Sequence, residues 1–310
     1  MLASVLAAAF ALQPDPAMLR RLFEDALKQR RLEYGATDSR TAQAARDLGL
    51  FLSRQSDQAG ARSALAEAVG IDEKAFGATA TQTLADMAEL ATVSPPGEAE
   101  PLWQRSAGSA NGRLAARSLI ALGGLHAGAG DRVGAAGFYR RALAKVESTD
   151  GKDSARTAIV LSALAQTVEL AEGIPLLQRA VSINRRALGV RHPETATTEA
   201  NLAGMLLNAG RPNECVQVIG EALSIFEETL GSDHPRVAQA ATILAYGLRA
   251  NGDKAGAERN YRSALAIDEK AYGPRHPQTL SDVRALAEFL AEIGKGGEAA
   301  ELERRLSSGP

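Results

Sequence analysis

The sequence has one cysteine, few aromatic side chains and no excess of charge of either sign. Cys215 is the only cysteine of the 310 residues, which excludes an intramolecular disulfide and any multi-cysteine metal site. Aromatic residues make up 4% of the chain, too few to fill a wide globular core, and the abundance of alanine and leucine favours thin helical layers. The net charge of −2, without a basic cluster, argues against nucleic acid or an anionic membrane as a partner.

The chain also lacks an apolar run of transmembrane length near its N-terminus. The run Leu2 to Leu12 is far shorter than the roughly 18 residues needed to span a bilayer. Two interpretations of residues 1–15 remain open. Ala9-Phe10-Ala11 fits the cleavage pattern of a secretory signal, although no Lys or Arg precedes the run. The alternative is a short helix packed on the first unit of the fold. We favour export to the periplasm or the medium over a cytoplasmic location.

A repeat organises the rest of the chain. The joints Leu188 to Pro193, Leu230 to Pro235 and Tyr272 to Pro277 are nearly identical, and their glycines recur with a 42-residue period. Tyr34-Gly35 and Phe76-Gly77 are weaker copies at the same spacing. A Leu-Ala or Leu-Gly pair recurs thirteen residues past the start of the unit, at 48, 90, 164, 202, 244 and 286. A fixed period of this kind indicates a solenoid.

Each unit is predicted to be a pair of helices joined by a turn such as Asn208 to Pro212. The units are predicted near residues 35–76, 77–108, 109–150, 151–188, 189–230, 231–272 and 273–310. A capping helix over 16–34 precedes them. Units 77–108 and 151–188 are shorter, lack the His-Pro joint, and are each expected to lose about four residues at the turn. In the first of these, Ser94 to Gly97 should end the first helix early.

The three joint histidines, His192, His234 and His276, are interpreted as punctuation and not as a metal site. Glycine ends one helix and proline begins the next. Equivalent positions of successive units are separated by a helix-packing distance of roughly 8–10 Å, whereas metal ligands must lie about 2 Å from one ion. Cys215 is expected to be a buried packing residue, and His126 a packed or partly solvated one. We predict no catalytic residue, metal or cofactor.

The run Ala264 to Pro277 and the segment Asn201-Leu202-Ala203 resemble the 42-residue tetratricopeptide repeats of kinesin light chains and their bacterial relatives. The resemblance implies an all-α fold, a tetratricopeptide-type α-solenoid forming a right-handed superhelix of about seven helix pairs plus the N-terminal capping helix. Residues 35–310 would then form a single solenoid. It further implies a surface that binds peptides or proteins along its concave side.

The expected function is therefore a non-catalytic scaffold that binds a protein or peptide segment. A structural module that self-associates is the alternative, and an enzyme accessory subunit is less favoured; the protein itself would be a monomer or weakly self-associating. If first helices line the inner surface, the side chains flanking each Leu-Ala pair should face it. The candidate binding residues are Asn201, Asn208, Gln239, Tyr246, Arg249 and Arg284. Arg46 occupies a comparable position in the first unit, and Leu244 is expected in the core. An ordinary solvated helix face is the competing interpretation of this set.

Overall fold

The computed structural model describes residues 15–307, all of them in helices or short connections; the segment assigned above to a signal or a packed helix lies almost entirely outside these residues. Fifteen helices are found in this part of the chain. They are α1 (Pro16–Tyr34), α2 (Ser39–Arg54), α3 (Gln58–Phe76), α4 (Thr81–Thr92), α5 (Pro96–Ala107), α6 (Gly112–Gly128), α7 (Arg132–Asp150), α8 (Ala155–Ala165), α9 (Leu170–Ala187), α10 (Pro193–Asn208), α11 (Pro212–Leu230), α12 (Pro235–Ala250), α13 (Lys254–Tyr272), α14 (Pro277–Glu292) and α15 (Gly296–Ser307).

These helices form one unpaired helix, α1, followed by seven pairs, as predicted from the repeat period. In the complete units the first helix has 16 or 17 residues and the second has 19, as in α6 with α7 and in α12 with α13. First helices are α2, α4, α6, α8, α10, α12 and α14, and the others are second helices. The fold is an all-α solenoid of the tetratricopeptide type.

The joint between units is built as the sequence predicted. Gly231 has a φ of 88°, a left-handed conformation that glycine adopts without strain, and its N–H donates to the carbonyl of Glu227 to end α11. His234 then caps α12 by accepting a hydrogen bond at Nδ1 from the N–H of Arg236, and Pro235 occupies the first helical position. His192 and His276 cap α10 and α14 in the same way.

A threonine hydroxyl stabilises most of these joints, a feature that the sequence analysis did not anticipate. The threonine lies six residues past the joint glycine and donates to that glycine's carbonyl oxygen, at 2.8 Å from Thr195 to Gly189. The same bond is made by Thr41, Thr83, Thr157 and Thr279. Unit 231–272 has Val237 at this position, and Val237 is buried.

Of the two short units, only unit 77–108 differs from the prediction in where it is shortened. In unit 151–188 the first helix α8 has 11 residues and the second helix α9 has 18, so the loss is concentrated before the turn as expected. In unit 77–108 both helices have 12 residues, so the second helix α5 is also seven residues shorter than α13. Pro96 begins α5 directly after Pro95, which fixes an early end for α4.

The helices pack into two compact units, divided between Thr149 and Asp150. In the first, α1 to α4 share one apolar cluster and α4 to α7 another. In the second, α8 to α13 enclose the largest cluster, and α12 to α15 enclose another. Leu244, expected in the core, is only partly buried and lies at the edge of the largest cluster.

Small residues allow close approach of paired helices. A Cβ at Gly49 of α2 would lie 2.6 Å from Cγ of Leu65 in α3, so any larger residue there would force a shift. Cys215 is fully buried in α11, as expected of a packing residue, and burial raises the pKa of its thiol to about 11.

Candidate peptide-binding face

Neighbouring first helices are joined by polar side-chain contacts within each compact unit. In the first compact unit, Arg117 of α6 donates to Glu89 of α4 at 3.1 Å. In the second, Arg236 of α12 donates to the hydroxyl of Thr197 in α10 at 2.7 Å. We call the solvent-facing sides of the first helices within each compact unit the first-helix face.

Second helices carry a different kind of surface. Arginine and glutamate 36 residues apart pair between consecutive second helices, as in Arg31 with Glu67 and Arg262 with Glu298. The paired side chains are exposed, so each pair contributes roughly 0–1 kcal/mol to stability. Charged side chains of the second helices are thus paired with one another within the solenoid.

A groove of about 330 Å³ opens on the first-helix face between α8 and α10. Its apolar part includes Ile159, which is 59% exposed, and Leu188 at the end of α9. Asn201, one of the predicted binding residues, lines the groove from α10. A groove that combines exposed apolar carbon with amide groups can accept a side chain and bind the backbone of an extended peptide.

Two amide side chains in this groove have unused hydrogen-bonding capacity. Within residues 15–307 the side chains of Asn201 and Gln166 make no hydrogen bond, although both line the groove. Each amide offers two N–H donors and one carbonyl acceptor, which match the alternating groups of a peptide backbone. Gln166 and Ile159 were missed at the sequence level because unit 151–188 lacks the His-Pro joint, although its Leu164-Ala165 pair would have placed them.

Tyr246 and Arg249 lie together on α12, but both are engaged in packing. The ring of Tyr246 meets the ring of Tyr261 edge-on at 5.3 Å, and the Arg249 guanidinium forms an ion pair with Glu292 of α14. Burial disfavours the charge on Arg249, but Tyr261 and Glu292 outweigh it and raise its pKa. These two residues therefore support the last two units in addition to lining the face.

The other three predicted residues are exposed. Asn208 lies at the end of α10, Gln239 in α12 and Arg284 in α14. None of the three has a side-chain hydrogen bond or ion pair within the described residues. They are available to a partner, whereas Asn201 lies in the groove between α8 and α10.

Arg46 is not an exposed groove residue. Its guanidinium bridges two buried carboxylates, Asp72 of α3 at 3.0 Å and Asp86 of α4. Burial, followed by the interaction with Asp86, raises the pKa of Asp72 to about 6, with Arg46 opposing the shift. The cluster joins α2, α3 and α4 in the interior.

An equivalent acidic pair lies in the last units, but without the arginine. Asp268 of α13 and Asp282 of α14 occupy the positions of Asp72 and Asp86, and both are buried. Thr242 stands where the first unit has Arg46, and its hydroxyl donates to Asp282 at 3.3 Å. The two carboxyls interact with each other, and burial followed by the charge of Asp268 raises the pKa of Asp282 to about 7. The pair therefore keeps a proton to higher pH than the Arg46 cluster, where the guanidinium lies between the two acids.

His126 and the remaining histidines show no metal-site geometry. The ring of His126 packs against the ring of Phe138 in a tilted arrangement, with the centroids 4.9 Å apart, and its Nδ1 lies 2.7 Å from Asp131, consistent with a packed, partly solvated histidine. Across the described chain, no three His, Cys, Asp or Glu side chains converge as a metal site would require. None of the helices between residues 15 and 307 combines the length and apolar character of a bilayer-crossing segment.

Comparisons with known proteins agree with this architecture. Residues 194–270 match the tetratricopeptide repeat family. A putative kinesin light chain with nearly identical TPR-like repeats from Podosopora anserina superposes with a TM-score of 0.56 at 25% identity, covering 63% of this chain and 94% of that one. BtubC from P. vanneervenii gives a TM-score of 0.58 at 18% identity, covering 70% of this chain and 94% of that one. The search of curated proteins finds no significant match.

The fold is shared more widely. The apo form of RapI superposes with a TM-score of 0.60 at 13% identity, covering 85% of this chain and 75% of that one. At this identity the likeness concerns the fold alone. Residues 194–270 thus match tetratricopeptide repeats, and the described chain shares its fold with the TPR-like repeats of a putative kinesin light chain. A fold of this type suggests a protein–protein interaction scaffold.

Proposed function

We propose that this tetratricopeptide-repeat chain is a non-catalytic scaffold that binds an extended segment of a partner protein on its first-helix face, centred on the groove between α8 and α10. The observation that carries the proposal is the combination, in one groove, of exposed apolar carbon at Ile159 and unpaired amides at Asn201 and Gln166. Exposed apolar surface rimmed by polar groups is typical of interaction sites.

The groove suits a segment that places one apolar side chain against Ile159 and Leu188 and pairs its backbone with the two amides. Arg236, held by Thr197 at the neighbouring first helix, adds a positive charge near the groove. Further along the second compact unit, the exposed side chains of Gln239 and Arg284 extend the face. An extended segment with an apolar anchor and polar or acidic neighbours is the chemistry that these groups fit.

The test compares two pairs of amide-to-alanine substitutions of similar size. Asn201→Ala with Gln166→Ala removes both groove amides, while Gln178→Ala with Gln217→Ala removes two exposed amides from the second helices α9 and α11. The unaltered protein and both variants would each be used as bait to capture proteins from lysates of the native organism, and the captured proteins would be identified by mass spectrometry. We expect a partner that is enriched by the unaltered protein and by the second-helix variant and lost with the groove variant.

Binding of that partner should weaken by about 1–3 kcal/mol if either amide is a central contact. Thermal unfolding should stay nearly unchanged, because exposed substitutions away from special contacts alter stability by about 0.5 kcal/mol or less each. Unchanged capture by the groove variant would contradict the proposed site. Arg249 and Tyr246 are left out of this test because their loss would also disturb the packing around Tyr261.

A further inference from the structure

The groove between α8 and α10 has two chemically different ends. Equivalent helices of successive repeats run in the same direction, so the starts of α8 and α10 lie at the same end of the groove. Gln166 and Asn201, the amides of the proposed function, line the groove from the later parts of these helices. The other end lies beside the joint between α9 and α10, and we call it the joint end. Its residues are Ile159, Asn184, Leu188 and Glu194.

The joint end carries a carboxylate that is available to a ligand. Among the described residues, Glu194 is the one charged side chain that lines the groove, and it is exposed. It forms no ion pair within residues 15–307. The arginines at the equivalent positions of the neighbouring repeats are engaged elsewhere: Arg156 pairs with Asp150 at 3.1 Å, and Arg236 donates to Thr197. The charge and the acceptor oxygens of Glu194 are therefore unused inside the solenoid.

Asn184 supplies a second acceptor from α9. It is only 5% exposed, and its Nδ2 is held by a 2.9 Å hydrogen bond to the hydroxyl of Thr198. Its Oδ1 makes no hydrogen bond to any described residue and is not fully enclosed, so it is open to the groove that Asn184 lines. An oxygen in this position favours a ligand that donates to it, because leaving it unpaired costs free energy.

The hydroxyls of the groove add acceptors and no donors. Ser162, Thr197 and Thr198 each donate to a carbonyl oxygen one turn earlier in their own helix, at 2.9–3.0 Å. A ligand that lies against them therefore meets only oxygen lone pairs. A group with several N–H donors and a positive charge fits these acceptors, whereas a carboxylate or a phosphate would be repelled by Glu194.

Apolar carbon lies beside the acceptors. Ile159 is 59% exposed and Leu188 is 36% exposed. Lysine and arginine combine a methylene stem, which packs on apolar surface, with a cationic head that is rich in N–H donors. A wholly apolar side chain would cover Ile159 but would leave the oxygens of Glu194 and Asn184 without donors. The joint end thus matches a long basic side chain better than an aliphatic one.

We propose that the joint end selects a lysine or arginine of the bound segment, whose head binds Glu194 and Asn184. This inference rests on the proposed function and specifies the side chain that fills the groove. The apolar contact with Ile159 and Leu188 is then made by the methylene stem of that residue. An acidic neighbour in the same segment can still pair with Arg236.

A peptide array tests this selection without a known partner. The probes are immobilised acetylated nonapeptides with randomised flanks and one fixed central residue, which is lysine, arginine, norleucine or glutamate. Norleucine keeps an aliphatic stem and lacks the charge. We expect the unaltered protein to bind the lysine and arginine sets about three- to tenfold better than the norleucine set, and the glutamate set least. High salt should reduce this preference, because Glu194 is exposed and its charge is screened.

Variants assign the preference to one carboxylate. Glu194→Gln should lower binding of the lysine and arginine sets to the norleucine level and leave the norleucine set unchanged. Glu194→Lys should make the glutamate set the preferred one. The matched control, Glu227→Gln, removes an exposed carboxylate of the second helix α11 that has no ion pair within residues 15–307, and it should change no preference. Thermal unfolding verifies that each variant is folded.

The array separates failure of the selection from failure of the proposed function. Equal binding of the lysine and norleucine sets, or a lysine preference that survives Glu194→Gln, would overturn the selection. The proposed function would still stand if that binding is lost in the variant Asn201→Ala with Gln166→Ala. Peptide binding that survives loss of both amides would contradict the proposed function, and binding of no set would overturn both.

Discussion

The buried pair Asp268 and Asp282 should make the protein less stable as the pH rises from 5 to 8, and Asp282→Asn should remove that loss. Burial keeps the pKa of Asp282 near 7 in the folded protein. The unfolded value for an aspartate is about 3.9, so the folded state binds the extra proton. The stabilisation is complete below about pH 4 and is lost as the pH rises through 7.

The magnitude follows from the size of the shift. One proton bound only in the folded state changes the free energy of unfolding by about 1.4 kcal/mol per pH unit, so the full shift corresponds to about 4 kcal/mol. Asp72 acts in the same direction, but its pKa is raised only to about 6. Between pH 6 and 7 the remaining slope of about 1.4 kcal/mol per unit therefore belongs mainly to the coupled pair, because burial also raises the pKa of Asp268.

Urea unfolding followed by circular dichroism at pH 6, 7 and 8 would measure this slope. The difference between the unaltered protein and Asp282→Asn cancels the titration of distant groups. We expect the variant to be more stable at pH 8, because the amide needs no proton and donates to Asp268. Thr242→Arg should flatten the slope as well, since it supplies the guanidinium that Arg46 supplies in the first unit.

Asp86→Asn provides the opposite control at the equivalent position. Asp86 accepts from Arg46, so its loss removes a charge-assisted pair and should destabilise the protein at pH 8 by about 1.5–3 kcal/mol. The same Asp-to-Asn substitution should therefore stabilise the protein at position 282 and destabilise it at position 86. Opposite signs are expected because only Asp86 has an arginine partner. If Asp282→Asn is less stable than the unaltered protein at pH 8, or keeps its slope between pH 6 and 7, the reasoning is wrong.

Three further predictions concern the joints and the core. His234→Ala should destabilise the protein by about 1 kcal/mol in thermal unfolding, while His234→Asn, which retains a capping acceptor, should lose little. Gly49→Ala should cost about 1–3 kcal/mol because its Cβ would clash with Leu65, whereas Gly204→Ala, with open space around its Cβ, should be neutral or stabilising. Cys215 should not react with a thiol reagent at pH 8 in the folded protein and should react fully in urea, because burial raises its pKa and blocks access.

The repeated architecture was predictable because its signals are local. Glycine, histidine and proline at the joints specify where a helix ends and the next begins, and the structure places the histidines as caps. The shortening of α5 was not predictable, because unit 77–108 has neither a joint histidine nor a glycine turn to mark its length. The joint residues therefore predict the order of the helices better than they predict helix lengths.

The candidate site was harder to predict because it depends on contacts between units. An arginine on the inner side of a first helix is the same at the sequence level whether it faces solvent or a buried carboxylate. Arg46 and Arg249 were both assigned to the exposed face, yet one bridges Asp72 and Asp86 and the other pairs with Glu292. Of the arginines assigned to that face, Arg284 remains exposed and unpaired within the described residues. Whether each arginine is paired depends on an acidic residue some 40 positions further along the chain, Asp86 for Arg46 and Glu292 for Arg249.

The differing chemistry at the equivalent interior positions also bears on how a chain of similar repeats assembles in the correct order. The same pair of positions holds Asn184 hydrogen-bonded to Thr198, then Phe226 with Ala240, then the two acids of the last units. If α13 packed against α10 in place of α14, for example, Asp268 would face the hydroxyl of Thr198 and would lose the carboxyl of Asp282, with which it shares a proton below about pH 7. Unsatisfied buried acids are costly, so each mismatched neighbour is penalised during folding. Near-identical helices that would otherwise be interchangeable are thereby sorted into a single sequence of contacts.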